Sequence, residues 1–276
     1  MLNAPRLVAL ALLPALTALA ALAAGPIVAA PATTTAKESA TASASTPAPA
    51  AKPYSPYVDE TFPTELLWGD MHVHSSFSMD ANSMGNTRLG PGDAYRFAKG
   101  EVVTSNTGQP VRLDRPLDFL VVSDHAEYMG VLPRLRAKDP LILGDPAGKK
   151  LYDGLQADDR GAAVMGDLIG SLVSNRPLLD NAAVKRSVWD EITQLADEHD
   201  RPGVFSALIG FEWTSMPNGD NLHRVVVFAD GADKAARVTP VSAFDGDRPE
   251  DLWPFLERYE EGPEILGAVA VEGDRP

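Results

Sequence analysis

The sequence of 276 residues contains no cysteine. Without a thiol, the chain can form no disulfide framework and can carry no lipid anchor attached through cysteine. Basic residues are also scarce, because 24 Lys and Arg stand against 38 Asp and Glu and give a formal net charge of -14. Surfaces that bind nucleic acid are basic, so this balance argues against a nucleic-acid partner.

The first 56 residues lack the apolar pattern of a folded domain. Residues 1–23 carry one positive charge, Arg6, followed by a run rich in Ala and Leu, which is the layout of a secretory signal peptide. An uncleaved transmembrane anchor is the alternative, but Pro14 and the missing positive flank disfavour it. Residues 24–56 are rich in Ala, Thr, Ser and Pro, which predicts a disordered linker. We therefore expect an exported protein, periplasmic or extracellular, that keeps no stable membrane span after cleavage.

Strand and helix signals alternate through the predicted folded domain, residues 57–276. Apolar runs predict strands at residues 66–74, 117–123, 204–212, 223–229 and 265–271. Helix signals occur at residues 93–99, 187–199 and 250–259, and residues 128–200 are predicted to be a mainly helical insertion. This alternation indicates an α/β fold with a parallel sheet, in which the chemistry lies at the carboxyl ends of the strands.

Asp70, His72 and His74 occupy alternate positions of the first predicted strand. Side chains at alternate positions project from one face of a strand, so we expect the carboxylate and the two imidazoles to converge. Two imidazole nitrogens can bind one ion, while the aspartate either binds it or orients a histidine ligand. The alternative is that one histidine ends the strand and the other is solvated.

Ligand-type side chains also mark the ends of three later predicted strands. Asp124 and His125 follow the second strand, Glu212 ends the third, and His223 opens the fourth. Each has an ordinary explanation when taken alone, since Asp124 is suited to cap a helix and the others suit a polar surface. Together with the first motif, they indicate a metal site.

These motifs together resemble those of the PHP (polymerase and histidinol phosphatase) superfamily. The resemblance rests on Asp70-x-His72-x-His74 with Asp80, Ser123-Asp124-His125, Glu212 and His223. Three segments are similar to the branch catalogued as domain of unknown function 3604: Leu-Leu-Trp-Gly-Asp-Met-His-Val-His-Ser, Ser-Asp-His-Ala-Glu-Tyr and Gly-Phe-Glu-Trp-Thr-Ser. The resemblance covers about residues 66–259. It implies a distorted (β/α)7 barrel of the TIM type that hydrolyses phosphate esters, and hence an anionic small-molecule substrate.

The resemblance also implies up to three Zn²⁺, Mn²⁺ or Fe ions, with ligands at six positions: His72, His74, Asp80, His125, Glu212 and His223. His72 and His74 are expected to hold one ion. Glu212 is expected to bridge this ion to a second one bound by His223. Asp80 and His125 are expected to hold the third.

Catalytic roles are implied for Asp124 and Glu212, with Asp124 and Asp70 supporting the ligands and not binding ions themselves. The end of the family pattern is unmatched, because it calls for further histidines and residues 261–276 contain none. We therefore expect an incomplete barrel that lacks its C-terminal strands. Three hypotheses stay open: an exported metal-dependent phosphoesterase, a degenerate or non-catalytic secreted metal-binding protein, and an amidohydrolase-type enzyme that cleaves C–N or C–O bonds.

Overall fold

A computed structural model describes residues 65–157, 162–217, 221–262 and 267–272 of the chain. Every described residue belongs to one compact unit, which begins at Phe62. The predicted signal peptide and linker, residues 1–23 and 24–56, lie outside the described residues. Within the described ranges, no helix combines the length and the apolar character that crossing a bilayer requires.

Strands and helices alternate through the described residues. The strands are β1 (Gly69–Val73), β2 (Val103–Thr104), β3 (Pro110–Val111), β4 (Phe119–Val122), β5 (Ser206–Ser215), β6 (Leu222–Phe228) and β7 (Ala268–Glu272). The helices are α1 (Met79–Ser83), α2 (Pro91–Ala98), α3 (Val131–Arg136), α4 (Pro140–Leu143), α5 (Pro146–Ala157), α6 (Ala162–Val173), α7 (Ala182–His199), α8 (Ala232–Ala235) and α9 (Trp253–Glu260). A short 3-10 helix, Pro249–Asp251, precedes α9.

Five strands form one mixed sheet in the order β1-β4-β5-β6-β7, and β2 and β3 form a separate hairpin. β1, β4 and β5 pair in parallel, as the alternation of strands and helices predicts. The prediction of a parallel sheet is wrong for β6, which is antiparallel to both β5 and β7. The cause is the short connection between Ser215 and Leu222, because a parallel neighbour needs a crossover of about a dozen residues or more.

The α/β class expected from the sequence is confirmed, and helices α3 to α7 occupy the predicted helical insertion. α7 begins at Ala182, earlier than predicted, because the Asn181 side chain caps it by accepting from the backbone N–H groups of Ala183 and Val184. As far as the described strands go, β1 and β7 end the sheet and do not pair with each other. The incomplete (β/α)7 barrel of the PHP type therefore stays a prediction.

An aromatic core forms where α7 packs on the sheet. The ring of Trp189 lies 5.9 Å from that of Phe211 in β5 and 5.7 Å from that of Phe228 in β6, measured between centroids. All three side chains are buried. The indole N–H of Trp189 donates to the Ala235 carbonyl at 3.0 Å, so its one polar group is also satisfied.

The opposite face of the sheet carries the polar side chains. Because side chains alternate along a strand, Glu212 projects away from the aromatic core into which Phe211 and Trp213 are packed. On that face, a small apolar cluster forms from Val121, Val225 and Val227. Glu212, which is paired with Val225, therefore shares a face of the sheet with this apolar cluster.

Gly210 keeps β4, β5 and β6 close together on this face. A Cβ at residue 210 would lie 2.5 Å from Cγ1 of Val121 and 2.7 Å from the carbonyl oxygen of Val226. We expect Gly210→Ala to lower the free energy of unfolding by about 1–3 kcal/mol, because the backbone oxygen cannot rotate away. Gly170→Ala in α6 is the matched control, since no atom lies within 4 Å of its Cβ position.

The control should raise the free energy of unfolding by about 0.5–1 kcal/mol through helix propensity. Urea unfolding followed by circular dichroism measures both changes. Equal stability of the two variants would contradict the close packing assigned to Gly210.

Candidate metal centre

Glu212 reaches the site because β4 continues alongside β5 beyond its last regular residue. The Glu212 backbone N–H donates to the Asp124 carbonyl at 3.0 Å, and the Ala126 N–H donates to the Glu212 carbonyl at 2.9 Å. His125 and Glu212 are therefore paired in a parallel bridge and share a face of the sheet. The ring nitrogen Nδ1 of His125 lies 3.5 Å from Oε2 of Glu212.

The β5–β6 hairpin supplies His223. Thr214 and His223 are directly opposite each other in this antiparallel pair, so their side chains lie on the face that also carries Glu212. Nδ1 of His223 lies 2.8 Å from Oε1 of Glu212. The first residues of a strand parallel to β5 would instead lie at the far end of the sheet. The antiparallel turn thus brings His223 to the site.

β1 supplies two histidines but not its aspartate. One extra residue between Asp70 and Val73 shifts the register against β4, which is a β-bulge, so the simple alternation predicted for the motif is interrupted. Nε2 of His72 lies 3.2 Å and Nε2 of His74 lies 2.6 Å from Oε2 of Glu212. Asp70 belongs to none of the ligand groups found among the described residues. Its carboxylate accepts the His72 backbone N–H at 2.9 Å, and the expected role of Asp70 in supporting the ligands stays a prediction.

Asp80 enters from helix α1. Its Oδ2 lies 3.0 Å from Nδ1 of His74 and 3.8 Å from Nε2 of His125. The Ser78 hydroxyl donates to Oδ1 of Asp80 at 2.6 Å and so fixes the carboxylate. Asp80, six residues after His74 in sequence, thus lies next to it in space.

The six predicted ligands form three overlapping groups, in each of which one donor atom per residue lies within 4.8 Å of the others. The groups are His72 with His74 and Glu212, His74 with Asp80 and His125, and His125 with Glu212 and His223. They match the three ion positions implied by the resemblance, and in addition His74 and His125 are each shared by two groups. Each group is a set of donors that suits a metal ion, and the number of ions stays a prediction.

The state of two buried atoms tests whether these residues suit a cation. Nε2 of His74 and Oε2 of Glu212 face each other at 2.6 Å, yet neither has a hydrogen-bond partner in acceptable geometry. A buried polar atom without a partner costs about 1–3 kcal/mol, so such atoms are rare unless they serve a ligand. Imidazole nitrogen and carboxylate oxygen are donors that Zn²⁺, Mn²⁺ and Fe²⁺ accept, and the residues present fit such an ion.

The imidazoles and carboxylates of the site change one another's pKa values. Burial opposes a charge on His74, but Asp80 and Glu212 outweigh it and raise the His74 pKa to about 10. Burial likewise opposes the charge of both carboxylates, yet the imidazoles beside them hold the pKa of Asp80 and of Glu212 well below the usual range. Burial lowers the pKa of His125 to about 4, so this ring is neutral at pH 7. The pocket therefore contains ionised carboxylates and a bound proton that a cation would displace.

Asp124 contacts the residue that follows His74 in the chain. Its buried carboxylate accepts the Ser75 N–H at 2.5 Å and the Ser75 hydroxyl at 2.6 Å, and so fixes the residue that follows His74. Burial raises the Asp124 pKa to about 6 against the effect of these hydrogen bonds. Its contacts are those of a residue that positions His74, and the catalytic role implied for it stays a prediction.

The motifs gave no role to Glu127 and Thr214, which the structure places in the site. Oε1 of Glu127 accepts the Ala243 N–H at 2.6 Å, and Oε2 accepts the Thr214 hydroxyl at 3.3 Å. Oγ1 of Thr214 lies 3.2 Å from Nδ1 of His125 and 3.4 Å from Nδ1 of His223. Burial raises the pKa of Glu127 to about 7. Thr214 follows Glu212 by two residues in a strand, and this spacing was the available signal.

The family model described as Protein of unknown function (DUF3604) matches residues 61–270 of the chain. The matched range includes every described residue of the three ligand groups. Searches of curated proteins and of solved structures found no match.

Glu212 is shared by two ligand groups, whereas Asp70 belongs to none, and these two acids form a matched pair. We expect Glu212→Gln to weaken Mn²⁺ or Zn²⁺ binding by about a hundredfold or more, since loss of a residue that merely orients a ligand already costs about 10–100-fold. Asp70→Asn should keep binding within about tenfold of the parent. Titration calorimetry on the stripped protein measures both affinities. Equal losses of affinity in the two variants would contradict the assignment of Glu212 as a ligand shared by two groups.

Metal binding should release protons. His74, with a pKa of about 10, holds a proton at pH 7 in the metal-free site and must lose it to bind an ion. Affinity should therefore rise with pH, by about tenfold per pH unit for this one proton. Calorimetry in two buffers of different ionisation enthalpy counts the protons released. Binding that is independent of buffer and of pH between about 6 and 8 would contradict the coupling of His74 to the ion.

Proposed function

The chain belongs to the family of proteins of unknown function designated DUF3604, and from its site we propose that it is an exported metal-dependent hydrolase that cleaves phosphate esters. The family description supplies no activity, so the proposal rests on the residues. We further propose that the family is a branch of the PHP superfamily and that the sheet is part of its distorted barrel. The order of the motifs along the chain supports this placement.

One observation carries the proposal. The buried Glu212 carboxylate is surrounded by four of the five histidines of the chain. The distances from its oxygens to the ring nitrogens are 3.2 Å for His72, 2.6 Å for His74, 3.5 Å for His125 and 2.8 Å for His223. A lone ion pair would explain one such contact. Four imidazoles around one carboxylate, with a second carboxylate at Asp80, form a set of ligands for neighbouring ions.

The chemistry follows from this donor set. Divalent ions, when bound, lower the pKa of water and neutralise charge on phosphoryl oxygens. Glu212 and Asp80, together with the four imidazoles, would hold the ions. Asp124 fixes Ser75 and thereby His74, and Thr214 orients the rings of His125 and His223 through its hydroxyl group. In a chain with a net charge of -14, such a cluster offers a local site for an anionic substrate.

The test is the hydrolysis of an aryl phosphate by protein loaded with Mn²⁺ or Zn²⁺. We expect release of phosphate by the parent protein and loss of both bound metal and activity in the His72→Ala, His74→Ala double variant, because His74 belongs to two ligand groups. His199→Ala is the matched control, since this histidine lies at the end of α7 and outside the ligand groups of the described residues.

The control should retain metal and activity. Full metal content in the double variant would overturn the assignment of the site. Metal retained by the parent protein without hydrolysis of any ester would favour a non-catalytic metal-binding protein. Cleavage of an aryl amide in place of the phosphate would favour the amidohydrolase type.

A further inference from the structure

A cavity adjoins the metal centre on the side formed by Asp80, His125 and His223. Besides these ligands, the polar residues Glu127, Thr214 and Asn221 line it, together with three apolar side chains from separate elements of the chain. They are Met79 at the start of α1, Leu172 near the end of α6 and Met216 just after β5. The helical insertion and the sheet thus contribute to the same cavity, which opens directly onto the ligand groups.

The volume and the lining restrict what the cavity can hold. It measures 220 Å³, whereas an apolar cavity of about 150 Å³ binds benzene. Methionine side chains are flexible and polarisable, so two of them adapt well to an apolar group of variable shape. No Lys or Arg lines the cavity among the residues that the structure describes, while Asp80 and Glu127 both do. A second negative charge placed away from the metal centre would therefore meet the Glu127 carboxylate and no Lys or Arg side chain of the described residues.

We propose that this cavity binds the organic part of the substrate, and that this part is an uncharged aryl or branched alkyl group. The inference rests on the proposed function, because it takes the phosphoryl group to be held at the metal centre. It adds the class of ester: a phosphate ester of a phenol or of a short apolar alcohol, and not an ester with a second anionic group. Leu172 and Met216 are the residues that confer this selectivity.

Binding of stable phosphonates to the Mn²⁺-loaded protein tests the cavity without depending on turnover. Phenylphosphonate should bind at least about tenfold more tightly than methylphosphonate, because only its ring fills the apolar cavity. Phosphonoacetate, which adds a carboxylate, should bind no more tightly than methylphosphonate. Competition against a fluorescent aryl phosphonate or titration calorimetry gives the three dissociation constants.

Met216→Gln and Leu172→Gln make the wall polar at nearly constant size, and each should bring the ratio of phenylphosphonate to methylphosphonate affinity close to one. Val173→Gln is the matched control, because Val173 adjoins Leu172 but is 70% exposed and does not line the cavity. The control should keep the parent ratio. Thermal unfolding identifies a variant that fails to fold, and the two test variants lie on different elements, so one of them can replace the other.

The outcomes separate the two proposals. If both phosphonates bind the parent protein equally, the cavity does not hold the organic group, and this inference fails while the proposed function stands. If both folded test variants keep the parent ratio, the inference also fails. If Mn²⁺ binds but neither phosphonate does, the phosphoryl site is absent, and the proposed phosphoesterase function fails together with the inference.

Discussion

The geometry of the site depends on one buried charge, the carboxylate of Glu212, and on the four imidazoles that surround it. A carboxylate in an apolar setting keeps its charge only when positive or polar groups surround it, and here the imidazoles hold its pKa low. The same carboxylate raises the pKa of His74 to about 10. Burying such charges costs free energy, which a bound ligand offsets. A divalent cation is the ligand that the donors of this cluster fit.

Strand pairing in the mixed sheet brings the residues of this cluster together. Its parallel strands β1, β4 and β5 bring their carboxyl ends to one edge, where His74, His125 and Glu212 meet. The antiparallel hairpin then returns the chain to the same edge, so His223 joins from the beginning of β6. On the same face of the sheet, the valine cluster and Gly210 pack the strands closely together.

The sheet and the helical insertion contribute different parts of the proposed site. Most of the ligand-type side chains lie at the ends of strands, whose positions are fixed by the core. Leu172, by contrast, comes from α6 of the helical insertion and reaches only the cavity wall. Under the proposed function, changes in the insertion would alter the substrate without disturbing the ligand groups, as in folds that vary loops over a rigid scaffold.

Local sequence patterns by themselves determined the α/β class, the approximate strands and helices, and the residue types at the strand ends, because alternation and apolar runs are short-range properties. Only the tertiary structure decided which strands pair and in which direction. In β1 the register against β4 shifts after Asp70, and among the described residues His72 and His74, but not Asp70, belong to the ligand groups. Likewise, the spacing of Thr214 from Glu212 places both side chains on one face, but only the pairing of the strands brings Thr214 next to His125 and His223. Register and pairing direction arise from contacts between residues that are distant in sequence, and these contacts decided the final geometry of the site.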